Sequence, residues 1–179
     1  RYDRLIRPRG DGLRSAEWRY GPQKWFMSNL NITKLSSSSN IYDKIQAAIA
    51  YQNFKESRID RNFGSDIRRT RSETVDAISF NLDMEKNINN KFSLFYGGEY
   101  LYNYVGSKGF ETNITQNTNT TSITRYPDGS TWQSLAAYLS LKYKPNTKFI
   151  FQSGIRYNHI YANANFEANN VFLNLPFNT

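Results

Sequence analysis

The chain has 179 residues, enough for one ordinary domain, and no cysteine, which excludes a disulfide framework and a thiolate metal site. Its net charge is +8 and its mean hydropathy is −0.70. The chain has no apolar run of about 20 residues, which excludes a membrane-spanning helix. A membrane β-barrel stays open, because residues inside such a barrel are polar.

Alternation of apolar and polar residues predicts six strands. Their expected ranges are about 23–35, 44–63, 72–86, 91–105, 131–143 and 149–166. The most regular alternation places Ile78, Phe80, Leu82 and Met84 opposite small or polar residues. The stretch 91–104 exceeds the usual strand of about five or six residues, and one of its faces is aromatic. Long amphipathic strands rich in Tyr and Phe are typical of transmembrane barrels.

The predicted connections alternate in length. Short ones are expected near 36–43, 87–90 and 144–148, and longer ones at 1–21, 64–71 and 107–130. An up-and-down meander places the two kinds at opposite ends, as in outer-membrane barrels with short periplasmic turns and long extracellular loops. Lysines flank the short connections and most arginines lie in the long ones.

Six strands are too few to close a barrel, because bacterial single-chain barrels start at about 8 strands. A sheet of six leaves two unpaired edges, which are costly in hydrocarbon. The chain also begins with charged residues and has no apolar signal core behind them. We therefore expect a fragment of a larger barrel.

Three groups of residues, in order over roughly residues 1–110, resemble the TonB-dependent outer-membrane receptors. They are Arg1-Tyr2-Asp3-Arg4-Leu5 with Ala16-Glu17-Trp18-Arg19-Tyr20-Gly21-Pro22-Gln23, then Tyr51-Gln52, Glu56-Ser57-Arg58 and Arg61-Asn62-Phe63, then Tyr96-Gly97-Gly98-Glu99-Tyr100, Tyr102-Asn103 and Ser107. The resemblance implies an all-β fold, an antiparallel up-and-down meander that is part of a transmembrane β-barrel of about 22 strands.

The resemblance also implies a place in the bacterial cell outer membrane and the import of a scarce nutrient, either an iron complex (a siderophore or haem) or cobalamin. A plug domain, an energy-coupling box and a closing strand are not recognised, so we expect a mid-barrel segment. The implied partners are outer-membrane lipid and lipopolysaccharide, the protein's own plug domain, the TonB complex reached through the missing N-terminal part, and a surface lipoprotein. We expect no nucleic acid partner and no cofactor.

The arginine-rich segments suggest a site for an anionic ligand, because arginine binds the carboxylates of siderophores and haem in a bidentate way. The candidates are Arg4, Arg7, Arg58, Arg61 and Arg68. Pairing with neighbouring acids, or contact with lipopolysaccharide phosphates, is the more common fate of exposed arginines and is favoured about two to one. The neighbouring acids are Asp3, Glu17, Glu56 and Asp60.

Polar residues on the less aromatic strand faces are expected to line a passage or to contact a plug. They are Asn29, Asn31, Gln46, Gln52, Asn81, Asp83, Glu99, Gln152 and Arg156. Plug contact is favoured, because buried polar groups need hydrogen-bond partners.

The remaining candidate residues predict no catalytic or metal-binding site. His159, the only histidine, lacks further metal ligands and is expected to be an interfacial side chain near the outer end of a strand. Trp18, Trp25, Trp132 and the tyrosines are expected in aromatic girdles at the membrane interfaces. The sequence contains no nucleophile–base pair, phosphate loop or mechanistic carboxylate set, so we predict no catalytic or metal-binding residue and no enzyme.

Two other hypotheses stay open. A soluble or surface-attached β-sandwich adhesion module that binds glycans would bury its apolar rows between two sheets, whereas a barrel exposes them to lipid. The residues that distinguish the two are Phe80, Leu82, Leu94, Leu139 and Phe151. A nucleic-acid-binding sheet would gather its cations on one face, which the separated Arg and Lys do not favour.

Overall fold

The computed structural model describes residues 8–9 and 12–166, with the backbone alone at 8, 9, 12 and 13. The strands are β1 (Pro8–Arg9), β2 (Gly12–Leu13), β3 (Ser15–Tyr20), β4 (Lys24–Leu35), β5 (Lys44–Asn62), β6 (Ile67–Asn87), β7 (Phe92–Asn113), β8 (Thr118–Thr121), β9 (Ser130–Tyr143) and β10 (Phe151–Asn163). None of the described segments is a helix with the length and apolar character needed to cross a membrane.

One antiparallel sheet contains the long strands, in the order β10–β9–β7–β6–β5, and the far edge of β5 pairs with both β4 and β3. β3 and β4 together occupy one edge-strand position of the sheet, with a break at 21–23. Pro22 has no N–H to donate, so the ladder is interrupted there, and the Gly21 N–H donates to the Ser57 carbonyl at 2.8 Å. The predicted antiparallel meander with six strand positions is confirmed.

Four of the predicted strands agree with the structure to within three residues at each end, while the other two are longer than predicted. β6 begins inside the predicted loop 64–71, and β7 continues into the predicted loop 107–130. β3 lies in the predicted loop 1–21. The added parts of β6 and β7 are largely polar on both faces, so they carry little alternation to read, and pairing with the neighbouring strand makes them extended. In β3, Trp18 and Tyr20 do alternate with Glu17 and Arg19, but the strand has only 6 residues. The β5–β6 connection is a turn at 63–66, and Gly64 has a φ of 72° in it.

The strand register gathers the apolar side chains on one face, here called the outward face. Ile49 lies opposite Leu30 and Phe80, and the same row continues through Tyr100 to Leu135. Along each strand this face forms a continuous apolar band. The band consists of Phe26, Leu30, Ile32, Ile45, Ile49, Tyr51, Ile78, Phe80, Leu82, Met84, Leu94, Tyr96, Tyr100, Tyr102, Leu135, Leu139, Leu141, Phe151, Ile155 and Tyr157.

No second sheet covers the apolar band in the described part of the chain. Phe80, Leu139 and Phe151 are 39%, 47% and 59% exposed, and Leu82 and Leu94 are half-buried. Ala136 is the one buried hydrophobic residue of this part. The expectation of the sandwich hypothesis, that these rows meet in a dry core, is therefore wrong.

The strands are longer than a membrane requires. β6 and β7 have 21 and 22 residues, whereas a tilted transmembrane strand needs about 9–11. On β6 the apolar band ends at Ile78, so about half of the strand continues past it. We call this part of the sheet, formed by β3 and residues 53–62, 67–76 and 104–113, the sheet extension.

The opposite end of the sheet is closed by compact turns. The Lys86 ammonium donates to Asp43 at 2.6 Å and to the Ser39 carbonyl at 2.7 Å. The Asp43 carboxylate also accepts from the Asn87 N–H at 2.7 Å. The hydrogen bond from Lys86 is the main reason that the pKa of Asp43 lies below its ordinary value. This ion pair fixes the turn at 36–43 against the β6–β7 turn.

We predict that Phe80→Arg lowers the free energy of unfolding of the full-length protein in phosphatidylcholine vesicles by about 2–4 kcal/mol, because it places a charge in the middle of the apolar band. Asn81→Arg is the matched control, since residue 81 lies on the other face beside Glu99. Urea unfolding followed by tryptophan fluorescence measures both. Equal losses in the two variants would contradict the assignment of the faces.

Candidate functional site: the inward face of the sheet

The predicted lumen-facing or plug-facing residues all lie on the face opposite the apolar band, here called the inward face. Register places them there, since each is separated from the outward rows by an odd number of positions along its strand. They are Asn29, Asn31, Gln46, Gln52, Asn81, Asp83, Glu99, Gln152 and Arg156. Their contact with a plug or a passage stays a prediction.

A hydrogen-bonded network links four strands across this face. The Tyr138 hydroxyl donates to Asp83 Oδ1 at 2.5 Å, and the Arg156 guanidinium donates to Glu99 Oε1 at 3.0 Å. Gly97 lies between Asp83 and Tyr138 in the same row. A side chain at Gly97 would bring its Cβ within 2.9 Å of the Tyr138 ring and 2.1 Å of the Leu82 carbonyl. The glycine is therefore what lets Tyr138 lie across β7 and reach Asp83.

An apolar row crosses the inward face at the start of the sheet extension. Trp25 lies opposite Phe54, which lies opposite Val75, and the row ends at Val105 on β7. Trp25 is 67% exposed, and its indole N–H donates to Gln52 Oε1 at 3.3 Å. This row gives the polar face an aromatic surface that the sequence analysis did not predict.

The expectation that the tryptophans form lipid-facing girdles is wrong. Trp18 lies opposite Asp60 and Trp132 lies opposite Asn103, which places both on the inward face with Trp25. The outward face carries tyrosines instead. They are Tyr51, Tyr96, Tyr100, Tyr102, Tyr104, Tyr143, Tyr157 and Tyr161. Within a strand, residues an odd number of positions from the apolar row lie on the opposite face. Counting these positions in the sequence would have distinguished the tryptophans from the tyrosines.

Charged residues form two rows on the inward face of the sheet extension. Glu56 lies opposite Glu73, and Arg58 lies opposite Arg71 in the next row. Arg58 is 3.6 Å from Glu56, and Arg71 is 3.5 Å from Asp60. The Arg58 guanidinium also lies 4.9 Å from the centre of the Tyr20 ring, beside a cleft of about 130 Å³.

The five arginines predicted as ligand-binding candidates do not form one cluster. Arg58 is on the inward face, and Arg61 and Arg68 are on the outward face. Arg61 is paired with Glu17 at 3.1 Å. Arg4 and Arg7 lie outside the described residues, as does Asp3. The acids Glu17, Glu56 and Asp60 are paired with arginines, as the alternative interpretation expected.

Within the segment 114–129, β8 pairs with the end of β7, and the residues after β8 fold over the inward face of the sheet extension. The Arg125 guanidinium is 3.0 Å from Glu56 and 3.7 Å from Glu73. The Ser107 N–H donates to Asp128 at 2.7 Å, and Ser107 is 1% exposed under the segment. Arg125 stands alone in an Asn/Thr-rich stretch, so no local pattern in the sequence could have assigned it this role.

Glu73 is the most confined charge of this face. It is 3% exposed, and neither carboxylate oxygen has a hydrogen-bond partner in the described part of the chain. Burial raises the pKa of Glu73, while the positive charge of Arg125 opposes that increase. Glu73 lies in the sheet extension, beyond the apolar band. Arg125 therefore both holds the segment and compensates a buried carboxylate.

The described residues contain no group of three His, Cys, Asp or Glu side chains placed to hold a metal ion. His159 lies on the outward face opposite Leu135, away from the inward polar groups. Met27 and Met84 lie on opposite faces, since Met27 pairs with Gln52 and Met84 with Ile45.

Comparison with known proteins identifies the fold. No protein-family model matches this sequence, and no curated protein matches it. Among solved structures, the copper transporter OprC is similar, with a TM-score of 0.67 over 88% of this chain at 12% sequence identity. The chain spans 24% of the length of that transporter. The similarity shows an all-β antiparallel meander, consistent with part of a barrel.

We predict that Gly97→Ala destabilises the full-length protein by about 1–3 kcal/mol, because the new methyl group overlaps the Leu82 carbonyl and displaces Tyr138. Gly98→Ala is the control, since its Cβ would meet the Ala136 carbonyl at 3.3 Å and needs only a small shift. Urea unfolding in vesicles measures the difference. A larger loss for Gly98→Ala would refute the proposed role of Gly97.

We predict that Arg125→Ala releases the segment 114–129 and speeds its amide hydrogen exchange by about ten-fold. A ten-fold change corresponds to a free-energy change of about 1.4 kcal/mol. Breaking a fully buried ion pair costs about 3–5 kcal/mol, and we expect a smaller loss here because Arg125 is partly exposed. Hydrogen exchange with mass spectrometry of peptides covering 107–130 measures the effect. Unchanged exchange would mean that the backbone contacts of Ser107 hold the segment alone.

Glu73→Gln tests the electrostatic part of this arrangement. A raised pKa means that folded Glu73 keeps its proton longer than the unfolded form, so its contribution to stability is greatest at low pH and is lost as the pH rises through the raised pKa. We expect the free energy of unfolding of the full-length protein, measured with urea in vesicles, to fall over that pH range. In Glu73→Gln this part of the fall should disappear, and an unchanged fall would assign it to another group.

Proposed function

We propose that this chain is a wall segment of a TonB-dependent outer-membrane receptor, a protein that binds a scarce nutrient at the surface of a bacterium and imports it. The observation that carries the proposal is a single meander whose apolar face is uncovered and whose other face is polar. Such a sheet is stable between hydrocarbon and a polar interior. The resemblance in residues 1–110 supports the receptor class, and the shared fold of a transporter agrees with it.

The edges of the sheet support a place inside a larger barrel. Every residue of β4 and of β10 is exposed, including Ile155 at 74%. Unpaired backbone groups at such edges are very costly in hydrocarbon. We infer that further strands of the full-length protein pair with β4 and β10 in the membrane.

The inward face suits a plug domain as its neighbour. Its polar network already satisfies Asp83, Tyr138, Glu99 and Arg156 within the sheet, while asparagines such as Asn31 and Asn81 have free amide capacity. Buried amides of this kind need partners, and a plug inside the barrel supplies them. The TonB complex would act through that plug, and a surface lipoprotein is a further partner of this receptor class.

An iron complex, either a siderophore or haem, or cobalamin is the first substrate candidate. These ligands are large and carry ring systems or carboxylates, which match the aromatic Trp25–Phe54 row and the arginines above it. We assign transport and no catalytic step to this chain.

Copper is the second candidate, because the similar solved structure is a copper transporter. Copper favours thiolate, thioether and imidazole ligands. This chain has no cysteine, two methionines and one histidine, and these three residues do not share a face. A copper path would need its ligands from the rest of the full-length protein, which places copper second.

We predict that deletion of the gene abolishes growth of the source bacterium on one ferric siderophore, haem or cobalamin as the sole source, and that inactivation of TonB gives the same defect. Copper accumulation in the same strains is the control. The full-length protein should fractionate with the outer membrane. A loss of copper accumulation alone would favour the second candidate, and a soluble protein would overturn the proposal.

A further inference from the structure

The outward face of the sheet extension carries an excess of positive charge. Together with Lys24 at the start of β4, the described strand residues of this face carry six cations and two acids, Glu17 and Asp76. The cations are Lys24, Lys55, Lys108, Arg19, Arg61 and Arg68. We call this surface the outer collar.

Lys24 and Lys55 form the lower edge of the outer collar and lie directly opposite each other on β4 and β5. Like charges in this position repel, and the sheet loses stability through them. Both side chains are exposed, and no described carboxylate forms an ion pair with either. Asp76, the acid on this face at the edge of the apolar band, accepts hydrogen bonds from Tyr51 and Asn53. Asp76 interacts with Lys55 through charge alone and forms no ion pair with it, so positive charge stays in excess around the two lysines.

The inward face of the same strands is different. Its cations are balanced by acids, and the segment 114–129 adds one more cation that forms ion pairs. The cations Arg58, Arg69, Arg71 and Arg125 face the acids Glu56, Asp60, Glu73 and Glu111. The segment docks on this inward side, and Lys24, Lys55 and Lys108 are exposed on the other face. The charge excess is therefore directed away from any ligand inside the barrel.

The height of the two lysines matches the head groups of a bilayer. Lys24 lies two residues beyond Phe26, where the apolar band ends on β4, about 7 Å along the strand, and Lys55 lies directly opposite Lys24. The head-group region adds about 5–7 Å to each side of the hydrocarbon. Tyr51 and Tyr104, at 39% and 41% exposed, lie on the outward face just below the two lysines. Such tyrosines are typical of the boundary between hydrocarbon and head groups.

We propose that Lys24 and Lys55 bind the phosphate groups of anionic lipids in the leaflet at this end of the strands, with Lys108 extending the site. The proposal depends on the membrane location given under Proposed function. Lysine is a compact charge that binds phosphate well, and a basic residue near an anionic surface strengthens lipid association about five-fold. The phosphate also supplies negative charge beside the Lys24–Lys55 pair, which forms no ion pair with a described carboxylate.

The test uses the full-length protein in phosphatidylcholine vesicles with spin-labelled phosphatidic acid or spin-labelled phosphatidylcholine as the probe. Electron paramagnetic resonance gives the fraction of each probe immobilised by the protein, and hence its preference for phosphatidic acid. We expect Lys24→Gln/Lys55→Gln to lower that preference on the order of ten-fold. Lys142→Gln/Lys144→Gln, with the same loss of charge at the other end of the strands, should leave it unchanged.

Each other outcome has a defined meaning. Equal preference in the natural protein and the Lys24/Lys55 variant, or an equal loss in the Lys142/Lys144 variant, would overturn the site. Inorganic phosphate that abolishes the preference at low concentration would show a site for free phosphate and overturn the lipid assignment. Flotation of the same samples tests insertion, so a protein that floats without any preference refutes this site alone, while one that does not float refutes the proposed function.

Discussion

The hydrogen-bonded register between neighbouring strands is the interaction on which the rest of this structure depends. Strands β4 to β10 are paired almost without interruption, so the position of one row decides the position of all of them. Because side chains alternate, a slip of one residue would move Phe80 and its whole row to the polar side. Two residues have local effects on this sheet. Gly97 leaves space for Tyr138 to cross β7, and Pro22 interrupts the hydrogen-bonded ladder.

The two faces of the sheet solve different solvation problems. The outward face has no protein cover and is apolar along each strand until the sheet extension begins. The inward face satisfies some of its polar groups within itself through pairs such as Asp83–Tyr138 and Glu99–Arg156. Beyond the band, charge is balanced on the inward side and unbalanced on the outward side. The inward face therefore presents balanced charge, while the outward face presents a net positive charge to the surroundings of the protein.

The segment 114–129 joins the sheet extension to this electrostatic arrangement. It contributes Arg125, which compensates the buried Glu73 and the neighbouring Glu56. An uncompensated pair of carboxylates would be costly so far from water, so docking of the segment and ionisation of Glu73 are linked. In the proposed receptor this places a titratable contact above the inward aromatic row.

The sequence by itself determined the all-β meander, the six long strands and the separation of apolar from polar faces, because alternation with a period of two is a local property of each strand. It could not determine where β6 and β7 end, since their polar ends have no apolar face and become extended only through pairing with a neighbour. The inward direction of Trp18, Trp25 and Trp132 was readable in principle from position parity, but composition alone suggested girdles. The Arg58–Glu56 pair is local, since the two residues lie two positions apart on the same face of β5. The partners of Arg61 and Arg125 were decided by tertiary structure alone, because each ion pair joins residues that only the register or the docked segment brings together.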